Sequence, residues 1–134
     1  MSTFEWTPDL VTGNELIDSQ HHTLFRYAND LLDAIEDAEV DDEAAEVYVW
    51  RLTDYVMEHF ADEQDLMESV HYPERGIHVG MHDTLTGETM RLTARVMRGE
   101  IVAAPEIAKL ITKWMREHIL TADKQFVTYL SAQQ

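Results

Sequence analysis

Apolar side chains recur along this chain at steps of three and four residues in four separate stretches. The stretches run over about 19–38, 43–70, 74–98 and 105–131, and each is typical of an amphipathic α-helix that buries one face. The breaks between them are short: an acidic run near residue 40, Pro73, and Gly99 followed by Pro105. Because short connections favour antiparallel neighbours, the pattern predicts an all-α protein, an antiparallel up-down-up-down four-helix bundle.

Residues 1 to about 17 show no sustained helical period and contain Pro8, Gly13 and aromatic side chains such as Trp6. We interpret them as an extended N-terminal arm that packs against the bundle. Asp18 or Ser19 is then expected to cap the first helix, because either side chain accepts a hydrogen bond from a first-turn N–H. No repeat or linker interrupts the pattern, so residues 1–134 are expected to form a single domain.

Composition narrows the classes of partner and of metal site. The chain has no cysteine and a formal net charge of −16. This charge repels phosphate backbones and anionic lipids, so we expect neither a nucleic-acid nor a membrane partner. No apolar run approaches the roughly 18 residues of a membrane span, and the N-terminus lacks a signal-peptide pattern, which predicts a cytoplasmic protein. Without thiolates, any metal must bind to nitrogen and oxygen ligands.

Polar residues interrupt the apolar stripe of every predicted helix. A spacing of four residues recurs in the second and third helices, which places both members of each pair on one helix face. His22, by contrast, shares a face with polar residues, and His71 lies in a loop. Several imidazoles in one core favour a metal site, because each unliganded ring would need its own hydrogen-bond partner. The inward-facing residues are His21, His59, Glu63, His78, His82 and His118.

The number of imidazoles restricts the metal without identifying it. Five exceed what one tetrahedral zinc accepts, so a pair of metals with carboxylate bridges is favoured. Iron, copper, nickel and zinc all suit imidazole. The chain has no Glu-x-x-His unit, unlike the oxygen-activating di-iron bundles. Asp62 is a rival to Glu63 as the bridge, but its side chain is shorter and it lies a step off the centre of the stripe.

Four segments resemble the hemerythrin family's motifs, in the same order along the chain. The family motifs are a first-helix Gln-His, His-Phe-x-x-Glu, His-x-x-x-His, and Trp-x-x-x-His-Ile followed by Asp. The matching segments are Gln20-His21 within Ile17–Phe25, His59-Phe60-Ala61-Asp62-Glu63, His78-Val79-Gly80-Met81-His82, and Trp114-Met115-Arg116-Glu117-His118-Ile119 with Asp123. The likeness covers essentially the whole chain. One departure is Gln64, where the family often has a second Glu.

The resemblance implies a non-haem di-iron centre that binds dioxygen reversibly, in an oxygen carrier, store or sensor input and not in an enzyme. Position by position, it implies one iron bound by His78, His82 and His118, a second bound by His21 and His59, and bridges from Glu63 and Asp123 together with an oxo or hydroxo group. Dioxygen would bind at the iron with two histidines. Candidates for the apolar wall around it are Phe25, Phe60, Trp114 and Ile119.

Two other kinds of function stay open at this point. A peroxidase, an oxidase or a nitric-oxide-handling protein could use the same ligands if a reductant reached them. Iron storage is the second alternative. A signalling role would require a separate signalling or redox partner protein, unless this chain is a piece of a larger one.

Two further expectations concern local structure. His118 and Asp123 are five residues apart, which is about 140° around a regular helix, so we predict a wide π-type turn between them. We interpret Met57, Met67, Met81 and Met115 as core residues that fill gaps.

Overall fold

The computed structural model describes residues 5–36, 42–100 and 111–133. Three regular helices come first: α1 (Glu15–Glu36), α2 (Asp42–Ser69) and α3 (Arg75–Met97). The fourth, α4, spans residues 112–132 and contains the π-helical stretches Thr112–Glu117 and Ile119–Asp123 before the α-helical end Lys124–Ala132. The described ranges contain no strand. The helices form the predicted antiparallel four-helix bundle.

Two parts of the sequence-based prediction lie outside the described residues. These are the acidic break near residue 40 and the start of the fourth helix at Pro105. Among the helices that the structure describes, none combines the length and the apolar character needed to span a membrane.

The start of α1 differs from the prediction. The helix begins at Glu15, four residues before the expected position, and neither Asp18 nor Ser19 caps it. Asn14 does so instead, because its Oδ1 accepts a hydrogen bond from the Ile17 N–H at 3.0 Å. The Asp18 carboxylate reaches back to the arm, where it accepts from the backbone N–H and the hydroxyl of Thr12 at 2.9 and 2.7 Å.

The N-terminal arm packs against the bundle at α1 and α4. A short 3₁₀ turn, Pro8–Leu10, interrupts its extended course and buries Leu10 completely. The Trp6 ring stacks on His22 with centroids 3.7 Å apart. Arg116 of α4 donates hydrogen bonds to Asp9 at 2.6 Å and to Thr7 at 2.8 Å. The arm is therefore anchored to the two helices that it crosses.

The bundle core consists of two apolar layers with a polar layer between them. The larger layer includes Leu24, Val56 and Trp114. The smaller layer includes Met67 and Phe126. On α1, α2 and α4, the inward-facing polar residues lie between the residues of these two layers, so the apolar layers screen the polar one from solvent at both ends.

The methionines divide between the core and the surface. Met67 and Met115 are buried, as expected of core residues that fill gaps. The prediction was wrong for Met57 and Met81, whose exposed fractions are 51% and 42%. Met57 follows the buried Val56 by one residue, a rotation of about 100° that turns its side chain outward.

Candidate metal centre

Seven polar side chains from all four helices meet in the polar layer. Six are at most 2% exposed, and His118 is partly exposed at the bundle edge. Their nitrogen and oxygen atoms form two groups, and within each group one such atom per residue lies within 4.8 Å of the others. The five-residue group is Glu63, His78, His82, His118 and Asp123, and the four-residue group is His21, His59, Glu63 and Asp123.

The two carboxylates belong to both groups, and each directs one oxygen to each. In the five-residue group, His78 Nε2 lies 2.9 Å from Glu63 Oε1 and 3.0 Å from Asp123 Oδ1. In the four-residue group, His59 Nε2 lies 3.3 Å from Glu63 Oε2, and His21 Nε2 lies 2.9 Å from Asp123 Oδ2. This division of the oxygens is the arrangement that two carboxylates adopt when they bridge a pair of cations.

The remaining histidines also direct Nε2 towards the carboxylates. His118 Nε2 lies 3.1 Å from Asp123 Oδ1, and His82 Nε2 lies 3.3 Å from Glu63 Oε1. All five imidazoles therefore present the same ring nitrogen to the centre. Asp62, the rival bridge, is exposed and belongs to neither group.

The π-helical winding of α4 brings His118 and Asp123 together. In a π-helix the N–H bonds to the carbonyl five residues earlier, so residues five apart lie on one face. The Lys124 N–H makes such a bond to the Ile119 carbonyl. The predicted irregularity between His118 and Asp123 is thus confirmed. α2 and α3 remain regular, because their inward-facing pairs are spaced by four residues.

The two carboxylates have opposite proton affinities. Burial raises the pKa of Glu63 to about 8, and the negative charge of Asp123 adds to the effect. Burial also favours the protonated form of Asp123, but the charge of His118 and the close approach of the His118, His21 and His78 ring nitrogens outweigh it and lower its pKa well below the usual value. At pH 7 the metal-free centre therefore contains one ionised and one protonated carboxyl group.

The pKa values of the imidazoles are also shifted in opposite directions. Burial lowers the pKa of His59 and of His82 to about 3, and neighbouring imidazoles reinforce the shift. Burial also disfavours the charged form of His78, but a hydrogen bond to Asp123 and the close approach of the Glu63 carboxylate outweigh it and raise its pKa to about 9. His59 and His82 are therefore neutral at pH 7, whereas His78 carries a proton that a metal would have to displace.

Several buried polar atoms of the centre have no hydrogen-bond partner among the residues that the structure describes. They are both ring nitrogens of His21, both oxygens of Glu63, His82 Nε2 and Asp123 Oδ2. Leaving such an atom unpaired costs about 1–3 kcal/mol, more for a charged group. A cation would satisfy most of them at once, and this nitrogen-rich donor set suits iron, copper, nickel or zinc. The residues present therefore fit a two-metal site.

The second ring nitrogens of two histidines contact glutamine amides. His59 Nδ1 lies 2.6 Å from Gln20 Oε1, and Gln20 Nε2 donates to Asp62 Oδ2 at 2.9 Å. His82 Nδ1 lies 3.0 Å from Gln64 Nε2. Such contacts fix the ring orientation of a metal ligand. Sequence reasoning gave neither glutamine a role, because no spacing within one helix reveals a contact that depends on the register between two helices.

A cavity of about 30 Å³ adjoins the four-residue group. Three of the four candidate wall residues line it, namely Phe60, Trp114 and Ile119. The Trp114 indole is held in place by a hydrogen bond from Nε1 to Glu88 Oε2 at 2.6 Å. The structure does not bring Phe25 to the cavity; its ring packs at 5.4 Å against Trp6 of the arm. The other lining residues are His21, Leu24, Val56, His59, Leu85, Thr89, Met115, His118 and Asp123.

Five of these lining residues were not singled out in the sequence. Leu24, Val56 and Leu85 belong to the apolar stripes, and that pattern does not separate a cavity wall from ordinary core packing. Met115 was interpreted as gap-filling, and Thr89 gave no signal of its own. Helix periodicity shows that such side chains point inward, but not what they surround.

Comparisons with known proteins agree with this geometry. Residues 12–130 match the family model described as the Hemerythrin HHE cation binding domain. A bacteriohemerythrin of Pseudomonas aeruginosa is 33% identical over 127 residues, which cover 95% of this chain and 81% of the relative. One of Methylococcus capsulatus is 27% identical over 135 residues, covering 98% and 100%. A wild-type hemerythrin crystal structure superimposes with a TM-score of 0.85 at 26% identity, covering 95% of this chain and 97% of the other.

Proposed function

The chain belongs to the hemerythrin family, and on that premise we propose that residues 1–134 form a single domain whose di-iron centre binds dioxygen reversibly. Membership of the family implies non-haem iron. In this proposal His78, His82 and His118 bind one iron, and His21 and His59 bind the other. Glu63 and Asp123 would bridge the two ions, together with an oxo or hydroxo group.

The division of the carboxylate oxygens is the observation that carries the di-iron assignment. Glu63 directs Oε1 to His78 and Oε2 to His59, and Asp123 directs Oδ1 to His78 and Oδ2 to His21. A single cation at either group would leave one oxygen of each carboxylate buried and unpaired. Two cations, one in each group, use all four oxygens.

The difference between the two groups supports the binding of a small molecule on one side. The four-residue group has two histidines and the five-residue group has three, so a metal in the smaller group would have one protein ligand fewer and could accept a small molecule in its place. Both histidines of the smaller group line the cavity, whereas only His118 of the three in the larger group does so. Its volume of about 30 Å³ is enough for one small molecule, since one water needs roughly 10–15 Å³ on this measure. Mostly apolar walls favour dioxygen over water or an anion.

The polar groups around the cavity favour binding over catalysis. Among the lining residues that the structure describes, Thr89 has the one hydroxyl, and it donates to the Leu85 carbonyl at 2.8 Å. The Trp114 N–H is used by Glu88. Apart from the candidate metal ligands, therefore, no lining side chain offers a free proton to a molecule in the cavity. Bound iron would supply the electrons for dioxygen binding, and the chain excludes water around it.

An optical spectrum of the iron-loaded protein tests the proposal. We expect the reduced protein to develop a visible band in air that disappears on deoxygenation, with about two irons per chain. A metal analysis without iron, in protein made in iron-replete cells, would contradict the proposal. So would a spectral change that deoxygenation does not reverse.

One observation favours an enzyme of the same architecture as the second candidate. A surface groove of about 550 Å³ between α3 and α4 reaches the partly exposed His118. A reductant bound there would lie next to a metal ligand, as a peroxidase, an oxidase or a nitric-oxide-handling protein requires. Rapid turnover with peroxide or nitric oxide would favour this alternative, and many loosely bound irons per chain would favour storage. A separate signalling or redox partner would support a sensor role.

A further inference from the structure

Two contacts fix the ring of His82. Its face stacks on Phe60, with centroids 3.9 Å apart and the ring planes within 6° of parallel. Its Nδ1 lies 3.0 Å from Gln64 Nε2, one turn further along α2. Together they set the tilt and the in-plane direction of the ring, so that Nε2 points at Glu63 Oε1.

The contact with Gln64 has a consequence for the proton of His82. An amide nitrogen can only donate, so Nδ1 must accept, and a neutral ring then carries its proton on Nε2. Nε2 is also the nitrogen that faces the centre, where it has no hydrogen-bond partner. A metal at Nε2 needs the lone pair of that atom. The proton must then be on Nδ1, and Nδ1–H needs an acceptor.

His59, the corresponding histidine of the four-residue group, is already arranged for a metal. Its Nδ1 lies 2.6 Å from Gln20 Oε1, an acceptor, so the proton belongs on Nδ1 and Nε2 is free. The Gln20 amide cannot turn over without cost, because its Nε2 donates to the Asp62 carboxylate at 2.9 Å. The two glutamines thus present opposite ends of their amides to the two imidazoles.

We propose that Gln64 is a positioning residue whose amide adopts two orientations. In one, its N–H donates to Nδ1 of a metal-free His82. In the other, after a half-turn of the amide, its oxygen accepts from Nδ1–H of a metal-bound His82. The inference rests on the proposed two-metal centre. A glutamine can do this because its oxygen and nitrogen exchange places by rotation about the last side-chain bond, which leaves the imidazole in position. A glutamate could only accept, and a leucine could do neither.

The position of the His82 proton tests the proposal directly. Nitrogen-15 NMR of the imidazoles distinguishes the two neutral forms, and zinc is a diamagnetic probe for the metal-bound state. We expect metal-free His82 to carry its proton on Nε2 and to move it to Nδ1 when zinc binds, whereas His59 keeps its proton on Nδ1 in both states. In Gln64→Glu, His82 should carry the proton on Nδ1 even without zinc. Finding it on Nδ1 in the metal-free wild type would overturn the proposal.

Metal affinity provides the second measurement. Loss of a partner of a metal-bound histidine typically lowers affinity by about 10–100-fold, so we expect this loss in Gln64→Leu and its reversal in Gln64→Glu. Gln125→Leu is the matched control, because Gln125 is exposed at the surface of α4. An unchanged zinc affinity in a folded Gln64→Leu protein would contradict the role of Gln64.

The outcomes separate this inference from the function on which it rests. A wild-type protein that binds no metal would contradict the two-metal centre, while the proton position in the metal-free protein would still test the Gln64 contact. A wild type that binds two metals and shows no movement of the His82 proton would contradict the inference alone. If Gln64→Leu does not fold, the spectra of the wild type and of Gln64→Glu decide.

Discussion

The two halves of the metal centre share their carboxylates and differ in almost everything else. The five-residue group takes three histidines from α3 and α4, and the four-residue group takes one each from α1 and α2. The cavity adjoins the smaller group, whereas the larger group approaches the groove at the bundle edge. The difference is consistent with the proposal that a metal in the larger group would have more protein ligands, and that one in the smaller group would leave a position open towards the apolar cavity.

The two helices that supply the histidines of the five-residue group differ in winding. α3 provides His78 and His82 from a regular helix, because a spacing of four already places them on one face. α4 must bring together residues five apart, and it does so through π-helical turns. The spacing of the polar residues in the sequence thus corresponds to the winding of each helix.

Removing a shared carboxylate should have the largest effect, because both groups depend on it. We expect Glu63→Ala to lower the iron content from about two per chain to near zero, and Asp123→Ala to do the same. Metal analysis of the purified proteins measures this. A variant that retains one tightly bound iron would show that the carboxylate serves one half only.

Removing a histidine from one half should affect that half first. We expect His78→Ala to lose the metal of the five-residue group and His21→Ala to lose that of the four-residue group, with about one iron per chain left in each. Both should lose reversible dioxygen binding. His22→Ala is the matched control, because His22 is next to His21 but faces outward. Equal losses from His21→Ala and His22→Ala would mean that α1 contributes no ligand.

The number of protons released on metal binding should also distinguish the two groups. The raised pKa values of Glu63, about 8, and His78, about 9, mean that both are protonated at pH 7 without metal. Because a metal must displace these protons, its affinity should rise with pH, with about two protons released from Glu63 and His78 at pH 7 and progressively fewer as the pH rises through 8 and 9. A hydroxo bridge formed from water would add one proton to the count at every pH. Calorimetry in buffers of different ionisation enthalpy counts them.

The same measurement on His78→Ala makes the comparison sharper. This variant lacks the His78 proton, whereas the Glu63 proton must still be displaced; burial keeps His59 neutral in both proteins, with its pKa lowered to about 3. We therefore expect about one proton fewer to be released at pH 7 than from the wild type. Metal binding that is independent of pH in both proteins would contradict the proton positions derived for the centre.

Filling the cavity should have the smallest effect on the metals and act on dioxygen alone. We expect Val56→Phe to weaken dioxygen binding by about tenfold, a loss of about 1.4 kcal/mol, while the iron content is unchanged. Thr84→Phe, which enlarges a side chain in the groove beside His118, is the control and should leave dioxygen affinity as it is. The reverse result would place the binding site on the groove side.

Much of this architecture can be predicted from the sequence because it is local. The apolar stripes define the helices, the spacing of four residues pairs His59 with Glu63, and the spacing of five between His118 and Asp123 predicts the irregular α4. Family resemblance adds a proposed assignment of the ligands to two metals. The predicted start of α1 was wrong because the side chains of Asn14 and Asp18 both suit a helix cap. Only the fold shows which of them reaches the first-turn N–H.

The remainder depends on how the helices meet. The contacts of Gln20 with His59 and of Gln64 with His82 join residues far apart in the sequence. The cavity arises where side chains from four helices fail to fill the space beside His21. Neither the register between helices nor the rotamers that leave such a space are encoded in the pattern of a single helix.

Anomalous diffraction at the iron edge, from crystals of the iron-loaded protein, tests the central claim most directly. We expect two peaks, one among His78, His82 and His118 and the other beside His21 and His59, with Glu63 and Asp123 in contact with both. A single peak, or two peaks that share no carboxylate, would contradict the bridged centre from which the rest of the account follows.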